Sequence, residues 1–154
     1  MNIVIIDYRA GNSASIMNAF EKLGVTASVS ASPSDWRKAD AIVFPGVGSF
    51  GSAMKYLGKD SAVLRQLIAE GVPFLGICLG MQVLMDWSEE SPTVPGLGII
   101  PGIARRFPEG LPVPQIGWNK VRVGSSPIFE GLKEFYAYFV NSYYCVPEDR
   151  SWVA

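Results

Sequence analysis

The run Pro73-Phe74-Leu75-Gly76-Ile77-Cys78-Leu79-Gly80-Met81-Gln82 leaves this chain few ways to fold. A short apolar stretch reads as a buried strand. It stops at a potential nucleophile flanked by glycines in the pattern Gly-x-Cys-x-Gly, and an apolar, helix-compatible stretch follows from Leu79 to Met85. Strand, sharp turn and helix is the context of a nucleophile elbow. Glycines two residues to either side of Cys78 allow the close backbone packing that such a turn requires. A helix starting just after Cys78 would set free N–H groups and positive partial charge beside the sulfur, a setting that favours thiolate. The plainer reading is a buried structural cysteine, since free cysteine is among the most buried residue types. The surrounding turn pattern argues for the nucleophile.

The chain contains no histidine. A cysteine nucleophile is usually activated by a base, most often histidine, and an unactivated thiol is only a few per cent ionised near neutrality. Either another group activates Cys78, or the activating residue lies beyond Ala154, or the chain is not competent for catalysis.

The 154 residues suffice for one domain with a single well-buried core. Hydrophobic residues make up 49% of the chain, which suits a sheet covered on both faces. The formal charge is −1 with the two signs interspersed, so no basic stripe points to nucleic acid or an anionic membrane. No apolar run reaches the roughly 18 residues of a membrane span. The start, Met1-Asn2-Ile3-Val4-Ile5-Ile6-Asp7, lacks the basic head and cleavage site of a signal peptide. Cys78 and Cys145 lie far apart with no metal-type spacing, so neither a metal site nor a cofactor is expected. The reading is a cytoplasmic protein with both thiols free.

Along the first half, strands are expected at Asn2–Asp7, Val25–Ser30, Ala41–Phe44 and Pro73–Ile77. Helical segments are expected from Asn12 or Ser13 to about Leu23, at Ser34–Trp36, near Ser52–Leu57 and at Ser61–Glu70. This alternation predicts an α/β fold with a doubly wound, mostly parallel sheet. Sites in such sheets lie outside the carboxyl ends of the strands. Asp7–Asn12, Pro45–Gly51 and Cys78 all fall at such ends and are expected to share one rim. After Met85, prolines punctuate strand-like runs at Leu97–Ile100, Ile103–Phe107, Val113–Ile116 and Lys120–Val123. Phe135–Val140 is a further strand that Asn141–Tyr144 continues. This half reads as short, partly antiparallel strands, and the whole chain, residues 1–154, as one domain.

The segment Pro45-Gly46-Val47-Gly48-Ser49-Phe50-Gly51 is weak evidence by itself. A dinucleotide fingerprint runs over Gly46, Gly48 and Gly51, but it follows the third strand, and no acidic residue closes a second strand at the required distance. Read jointly, the motifs are more specific. In order come Asp7-Tyr8-x-Ala10-Gly11-Asn12, Pro45-Gly46-Val47-Gly48-x-Phe50-Gly51, Leu75-Gly76-Ile77-Cys78-Leu79-Gly80-Met81-Gln82 and Ser88-Glu89-Glu90. Gly96-Leu97-Gly98, Gly117-Trp118-Asn119 and Tyr138-Phe139-Val140-x-Ser142-Tyr143 follow. Over essentially its whole length the chain closely resembles the class I glutamine amidotransferases, and among them the glutaminase subunits of imidazole glycerol phosphate synthase, which serve histidine biosynthesis.

The resemblance implies a flavodoxin-like sheet and a division of labour. Cys78 matches the nucleophile that attacks the glutamine side-chain amide to give a glutamyl thioester and ammonia, with water then releasing glutamate. The backbone N–H groups of Val47 and Leu79 match the oxyanion hole; such donors are worth roughly 3–4 kcal/mol each. In this family the Val47 segment is thought to rearrange before its N–H points the right way. Gly46, Gly48, Gln82, Glu90, Ser142 and Tyr143 match the glutamine-binding positions, with the Glu90 carboxylate suited to the ammonium group. Asn12, Trp118 and Tyr138 match the surface facing a TIM-barrel cyclase that receives the ammonia. Each position also has a plainer reading: Glu90 a solvated loop acid, Asn12 a helix cap, Gln82 a surface residue, Trp118 and Tyr138 core or edge aromatics.

Three departures stand out. Gln115 and Asn141 occupy positions where the family commonly has histidine; neither position carries the base, so both read as variation rather than loss of function, although they could alter coupling to the partner. The family's catalytic His and Glu lie in a His-Pro-Glu motif several dozen residues past the match to Ala154. The expectation is therefore a domain lacking its C-terminal strand and helix, nearly inactive, and prone to self-association through uncovered edges. The alternatives are a non-catalytic binding or scaffold module on the same fold, or another class I member such as the glutaminase of pyridoxal phosphate or anthranilate synthesis. Those members share the elbow but are not expected to carry Gly117-Trp118-Asn119.

Overall fold

In the first strand every residue is buried, and its side chains part alternately to two faces. The structure is a computed structural model that describes residues 1–124 and 126–153. Strand β1 (Ile3–Ile6) leads into helix α1 (Ser13–Lys22), then β2 (Ala27–Ser30), α2 (Pro33–Trp36), β3 (Ala41–Phe44) and α3 (Phe50–Leu57). Helix α4 (Ser61–Ala69) and strand β4 (Phe74–Gly76) complete a four-stranded parallel sheet of order β2-β1-β3-β4. Val4 and Ile6 join Ile42, Phe44, Phe50, Leu57 and Leu64 in the larger core on one face. Ile3, Ile5 and Val43 pack on the other face against Ile16 and Phe20 of α1. Both faces are thus covered, as the high apolar content requires. Phe44 and Phe50 are fully buried, and side chains of this kind contribute about 1.5–3 kcal/mol each.

The order of the strands decides where a site can form. From β1 the chain moves outward to β2, then returns across β1 to β3. The loops after β1 and β3 therefore diverge at a switch point, which opens a crevice at the carboxyl ends of the strands. This confirms the doubly wound, mostly parallel α/β reading.

The stretch after Cys78 differs from expectation. Helix α5 covers only Leu79–Gln82, not Leu79–Met85. Beyond Gln82 the turn tightens: Leu84 N–H donates to Met81 O (3.2 Å) and Met85 N–H to Gln82 O (3.0 Å), three residues back rather than four, and the segment expected to be a strand at Leu97–Ile100 bonds to the carbonyls that follow. Leu97 N–H donates to Val83 O (2.8 Å), Ile99 N–H to Leu84 O (2.9 Å) and Gly98 N–H to Met85 O (3.1 Å). These bonds satisfy carbonyls left open where the helix ends, and they leave Leu97–Ile100 as irregular chain rather than a ladder.

The second half forms two further sheets. Short strand β5 (Trp87–Ser88) runs parallel to β6 (Gly102–Arg106). The expected pieces Val113–Ile116 and Lys120–Val123 are one strand, β7 (Gln115–Arg122), paired antiparallel with β8 (Glu134–Asn141). Asn141 ends β8, but Ser142–Tyr144 does not continue it. The chain breaks at Ser142, and β9 (Tyr143–Pro147) pairs antiparallel with β6 in the other sheet. The break lets one segment close the cleft from both sheets.

Candidate functional site

The turn at Cys78 is built by glycines packed on backbone. In the parallel pairing of β3 with β4, Phe44 lies opposite Gly76, and Ile77 N–H still donates to Phe44 O at 3.0 Å. The next residue, Cys78, turns sharply with φ +53 and ψ −105, a left-handed conformation that a residue with a Cβ rarely adopts. A side chain at Gly76 would collide with Gly80 backbone, one at Gly80 with the Phe44 carbonyl, and one at Gly46 with Ile77 O and Leu79 N. Three chain segments therefore meet with no room between them, and the elbow holds Cys78 at the surface of the sheet edge. Its thiol is free and exposed.

Cys78 lies in a cleft of about 840 Å³. Every residue expected to act on substrate lines it: Gly46, Val47, Gly48, Cys78, Leu79, Gln82, Glu90, Ser142 and Tyr143. The floor is the elbow, one wall is the Pro45–Gly51 turn, and the opposite wall is the break between β8 and β9. Gln82 is 7% exposed, so it is not a surface position. Glu90 is half-buried, and its Oε2 accepts the Phe50 N–H at the start of α3 (2.6 Å); it is not a solvated loop acid. Ser88, fully buried, accepts the Glu90 N–H through its hydroxyl (3.2 Å) and so fixes the carboxylate's approach.

The two backbone donors differ. Among the described residues, the turn hydrogen bonds of the elbow are made by the N–H groups of Gly80, Met81 and Gln82, and Leu79 N–H has no backbone acceptor. Val47 N–H donates to the Tyr8 hydroxyl (2.8 Å). Because α5 has a single turn, Cys78 stands before a few individual N–H groups rather than the end of a long helix dipole.

The outer positions separate. Asn12 caps α1, its Oδ1 accepting Ser15 N–H at 3.2 Å, and it does not line the cleft. Trp118 and Tyr138 are direct cross-strand partners on β7 and β8, edge to face at 5.6 Å between ring centres. They are 70% and 54% exposed, so they are not core aromatics. Tyr138 also reaches the cleft rim.

Two further residues belong to the site. Tyr8 stood in the first motif without a role, although its place at the carboxyl end of the central strand was a signal. Asn141 was noted only as a departure. Its Nδ2 donates to Tyr143 O (3.0 Å), while its Oδ1 is buried in the cleft wall with no partner among the described residues. Cys145, on β9, has its thiol pushed up to about 11, first by burial and then by the neighbouring Cys78 sulfur. Among the described residues no group of three or more His, Cys, Asp or Glu is placed to hold a metal, and no helix is long and apolar enough to cross a membrane.

An exposed thiol on a strained elbow, a Leu79 N–H without a backbone acceptor among the described residues and a carboxylate across the cleft are the elements of acyl transfer at a thiol. The comparisons agree with that class. Residues 4–153 match the family Glutamine amidotransferase class-I. The imidazole glycerol phosphate synthase subunit HisH of Methanothermobacter thermautotrophicus is 50% identical over 99% of this chain and 77% of that protein. The HisH subunit of Streptococcus gordonii is 45% identical over 96% of this chain and 74% of that protein. The chloroplastic imidazole glycerol phosphate synthase hisHF of Arabidopsis thaliana is 43% identical over 99% of this chain and 27% of that protein. A glutamine amidotransferase crystal structure superposes with a TM-score of 0.72 at 22% identity, covering 89% of this chain and 70% of that one, which shows the shared fold. The chain therefore belongs to the class I glutamine amidotransferases, and among them to the imidazole glycerol phosphate synthase HisH subunits.

Proposed function

We propose that the cleft binds L-glutamine and that Cys78 is the nucleophile of glutamine hydrolysis, supplying ammonia to a TIM-barrel cyclase in imidazole glycerol phosphate synthesis. The observation that carries this reading is the left-handed backbone of Cys78 at the floor of a cleft lined by all the expected substrate residues. The sulfur adds to the side-chain amide carbon, and the C=O electron pair moves onto oxygen. The Leu79 and Val47 N–H groups receive that charge. Collapse breaks the C–N bond; the nitrogen takes up, through solvent, the proton that the thiol gave up and leaves as ammonia, and the γ-glutamyl thioester that remains is cleaved by water to glutamate and the free thiol. Glu90, bonded to Phe50 N–H through one oxygen, has the other for the substrate ammonium. Gly46, Gly48 and Gln82 shape the side-chain channel, and the backbone at Ser142 and Tyr143 holds the amino acid end.

The 154-residue chain holds no histidine, so no imidazole serves as base, and its turnover is extremely slow. Loss of a positioned base typically costs about 10²- to 10⁴-fold. The protein works in the cytoplasm, and the exposed pair Trp118 and Tyr138, with Asn12 nearby in the family pattern, meets the cyclase. Strand β4 is a sheet edge with Leu75 half-exposed, which also favours self-association of this chain. The test is L-glutamine titration followed by amide NMR, together with ammonia release in the presence of a cyclase subunit. The expected result is shifts at Gly48, Gln82 and Tyr143 with L- but not D-glutamine, and ammonia barely above background. No binding, or release at the rate of a complete glutaminase, contradicts the reading.

A further inference from the structure

The carboxyl ends of β1 and β3 part at the switch point, and one side chain bridges them. The Tyr8 hydroxyl donates to Val47 O at 2.7 Å and accepts from Val47 N–H at 2.8 Å. These two groups belong to the successive peptide units on either side of Val47. A single phenol therefore fixes both, and neither unit can rotate without breaking a bond. The phenol is itself held. Tyr8 is 5% exposed, and its ring stacks on Phe44 with centres 4.9 Å apart and planes at 27°. Burial raises the pKa of Tyr8, so the proton that it donates to Val47 O stays in place at ordinary pH.

Little else restrains Val47. Its side chain is 49% exposed, so packing does not anchor it. On one side Gly46 is clamped, with no room for a Cβ against Ile77 O and Leu79 N. On the other, Gly48 has φ +100 and open space around the position of a Cβ. The segment is thus fixed at residue 46, free to pivot at residue 48, and held between them by the Tyr8 hydroxyl. A Val47 N–H committed to the phenol is not available to an oxyanion above Cys78, whereas Leu79 N–H has no competing backbone acceptor among the described residues.

We infer that Tyr8 is a positioning residue that holds the Val47 N–H in a resting orientation and must release it before that N–H can stabilise the tetrahedral adduct at Cys78. Tyr8 touches no reacting atom; it sets how often the second oxyanion donor is presented. The inference rests on the reading of Val47 and Leu79 as that donor pair.

The test compares the chain with its Tyr8→Phe variant, which keeps the ring on Phe44 and deletes both bonds. Two reagents are used against Cys78. Iodoacetamide alkylates a thiolate by direct displacement and generates no oxyanion. A chloromethyl ketone carrying the α-amino acid end of glutamine reacts through carbonyl addition. The sulfur adds to the ketone carbon and the C=O pair becomes an oxyanion; the sulfur then displaces chloride from the methylene carbon, and collapse of the oxyanion re-forms C=O as the first C–S bond breaks, leaving a thioether on the methylene. Amide hydrogen exchange at Val47 is followed in parallel.

The expected result is faster exchange at Val47 in Tyr8→Phe and a chloroketone-to-iodoacetamide rate ratio at Cys78 raised about tenfold, the scale of losing one or two hydrogen bonds. A role in folding alone would change the two reagents together and leave the ratio unmoved. An unchanged or lowered ratio despite a freed Val47 amide overturns the inference while leaving Cys78 as nucleophile. Unchanged exchange at Val47 overturns it as well, since no latch then exists. If the chloroketone shows no preference for Cys78 in either protein, the reading of the site fails and the inference fails with it.

Discussion

The Glu90 carboxylate accepts the Phe50 N–H at 2.6 Å, so one acid both satisfies the first N–H of α3, which Ser49 caps, and lines the cleft that holds Cys78. Helix α3 has no acidic residue in its own first turn, and Glu90 supplies that charge from a distant loop. The two roles can be separated. Glu90→Ala loses both and should cost about 1 kcal/mol of stability, as removal of a helix cap does. Glu90→Gln keeps an oxygen for Phe50 N–H and should retain most of that stability. It should weaken L-glutamine binding about tenfold or more, because the charge opposite the ammonium is gone. Urea denaturation and ligand titration on the two variants check this. Equal binding by Glu90→Gln and the parent would remove Glu90 from the substrate site.

Gly80 has no left-handed backbone, yet a Cβ there would meet the Phe44 carbonyl. Gly80→Ala should therefore destabilise through crowding alone, by about 1–3 kcal/mol. The chemical denaturation midpoint reads the effect. A midpoint equal to that of the parent would mean that β3 and the elbow do not meet as closely as described.

Cys145 makes a prediction with a sign. Its folded pKa lies at about 11 against an ordinary value of 9.0, raised by burial and then by Cys78. Below pH 9.0 the thiol is protonated whether the chain is folded or not, and the stabilising contribution is complete. As pH rises, the unfolded thiol ionises first, so this contribution is lost between pH 9.0 and about 11. Stability of the parent should fall more steeply over that window than stability of Cys145→Ala. Iodoacetamide near pH 8 should label exposed Cys78 well before Cys145, as peptide mapping by mass spectrometry will show.

Trp118 and Tyr138 touch across β7 and β8 while remaining largely exposed, which is the profile of an interface anchor. Replacing both with alanine should weaken binding to a cyclase subunit by more than about 1 kcal/mol and leave chain stability nearly unchanged. Calorimetric titration measures the first and thermal unfolding the second. A large loss of stability would return the pair to a structural role.

Much of this was legible in the sequence where local pattern and tertiary context agree. The apolar strands Ile3–Ile6 and Ala41–Phe44 and the glycines around Cys78 give the sheet and elbow directly, because strand burial and a close turn leave strong compositional marks. Where a segment's hydrogen bonds go elsewhere, pattern misleads. Leu79–Met85 looks helical by composition, but the turn tightens after Gln82 and Leu97–Ile100 bonds to the carbonyls left open there, so both assignments fail together. The break at Ser142 was hidden for a similar reason. Asn141 and Tyr143 carry strand-like sequence on both sides, and only pairing with β6 redirects the chain. The residues lining the cleft were found through motif resemblance. The role of Tyr8 is not legible in the sequence, because a tyrosine shortly after a strand has many uses and only its two bonds to Val47 distinguish this one.

The central claim is that Cys78 is the acyl-accepting sulfur of a glutamine site, and one labelling experiment addresses it directly. An activated γ-glutamyl aryl thioester needs no general acid, because its aryl thiolate leaves unaided. Sulfur-to-sulfur exchange can therefore load the site even in a chain without histidine. After acid quench and peptide mapping, the account predicts a persistent γ-glutamyl group on Cys78, absent from Cys145 and abolished in Cys78→Ser. A γ-glutamyl group on Cys145, or none on either thiol under conditions in which iodoacetamide labels Cys78, would contradict it.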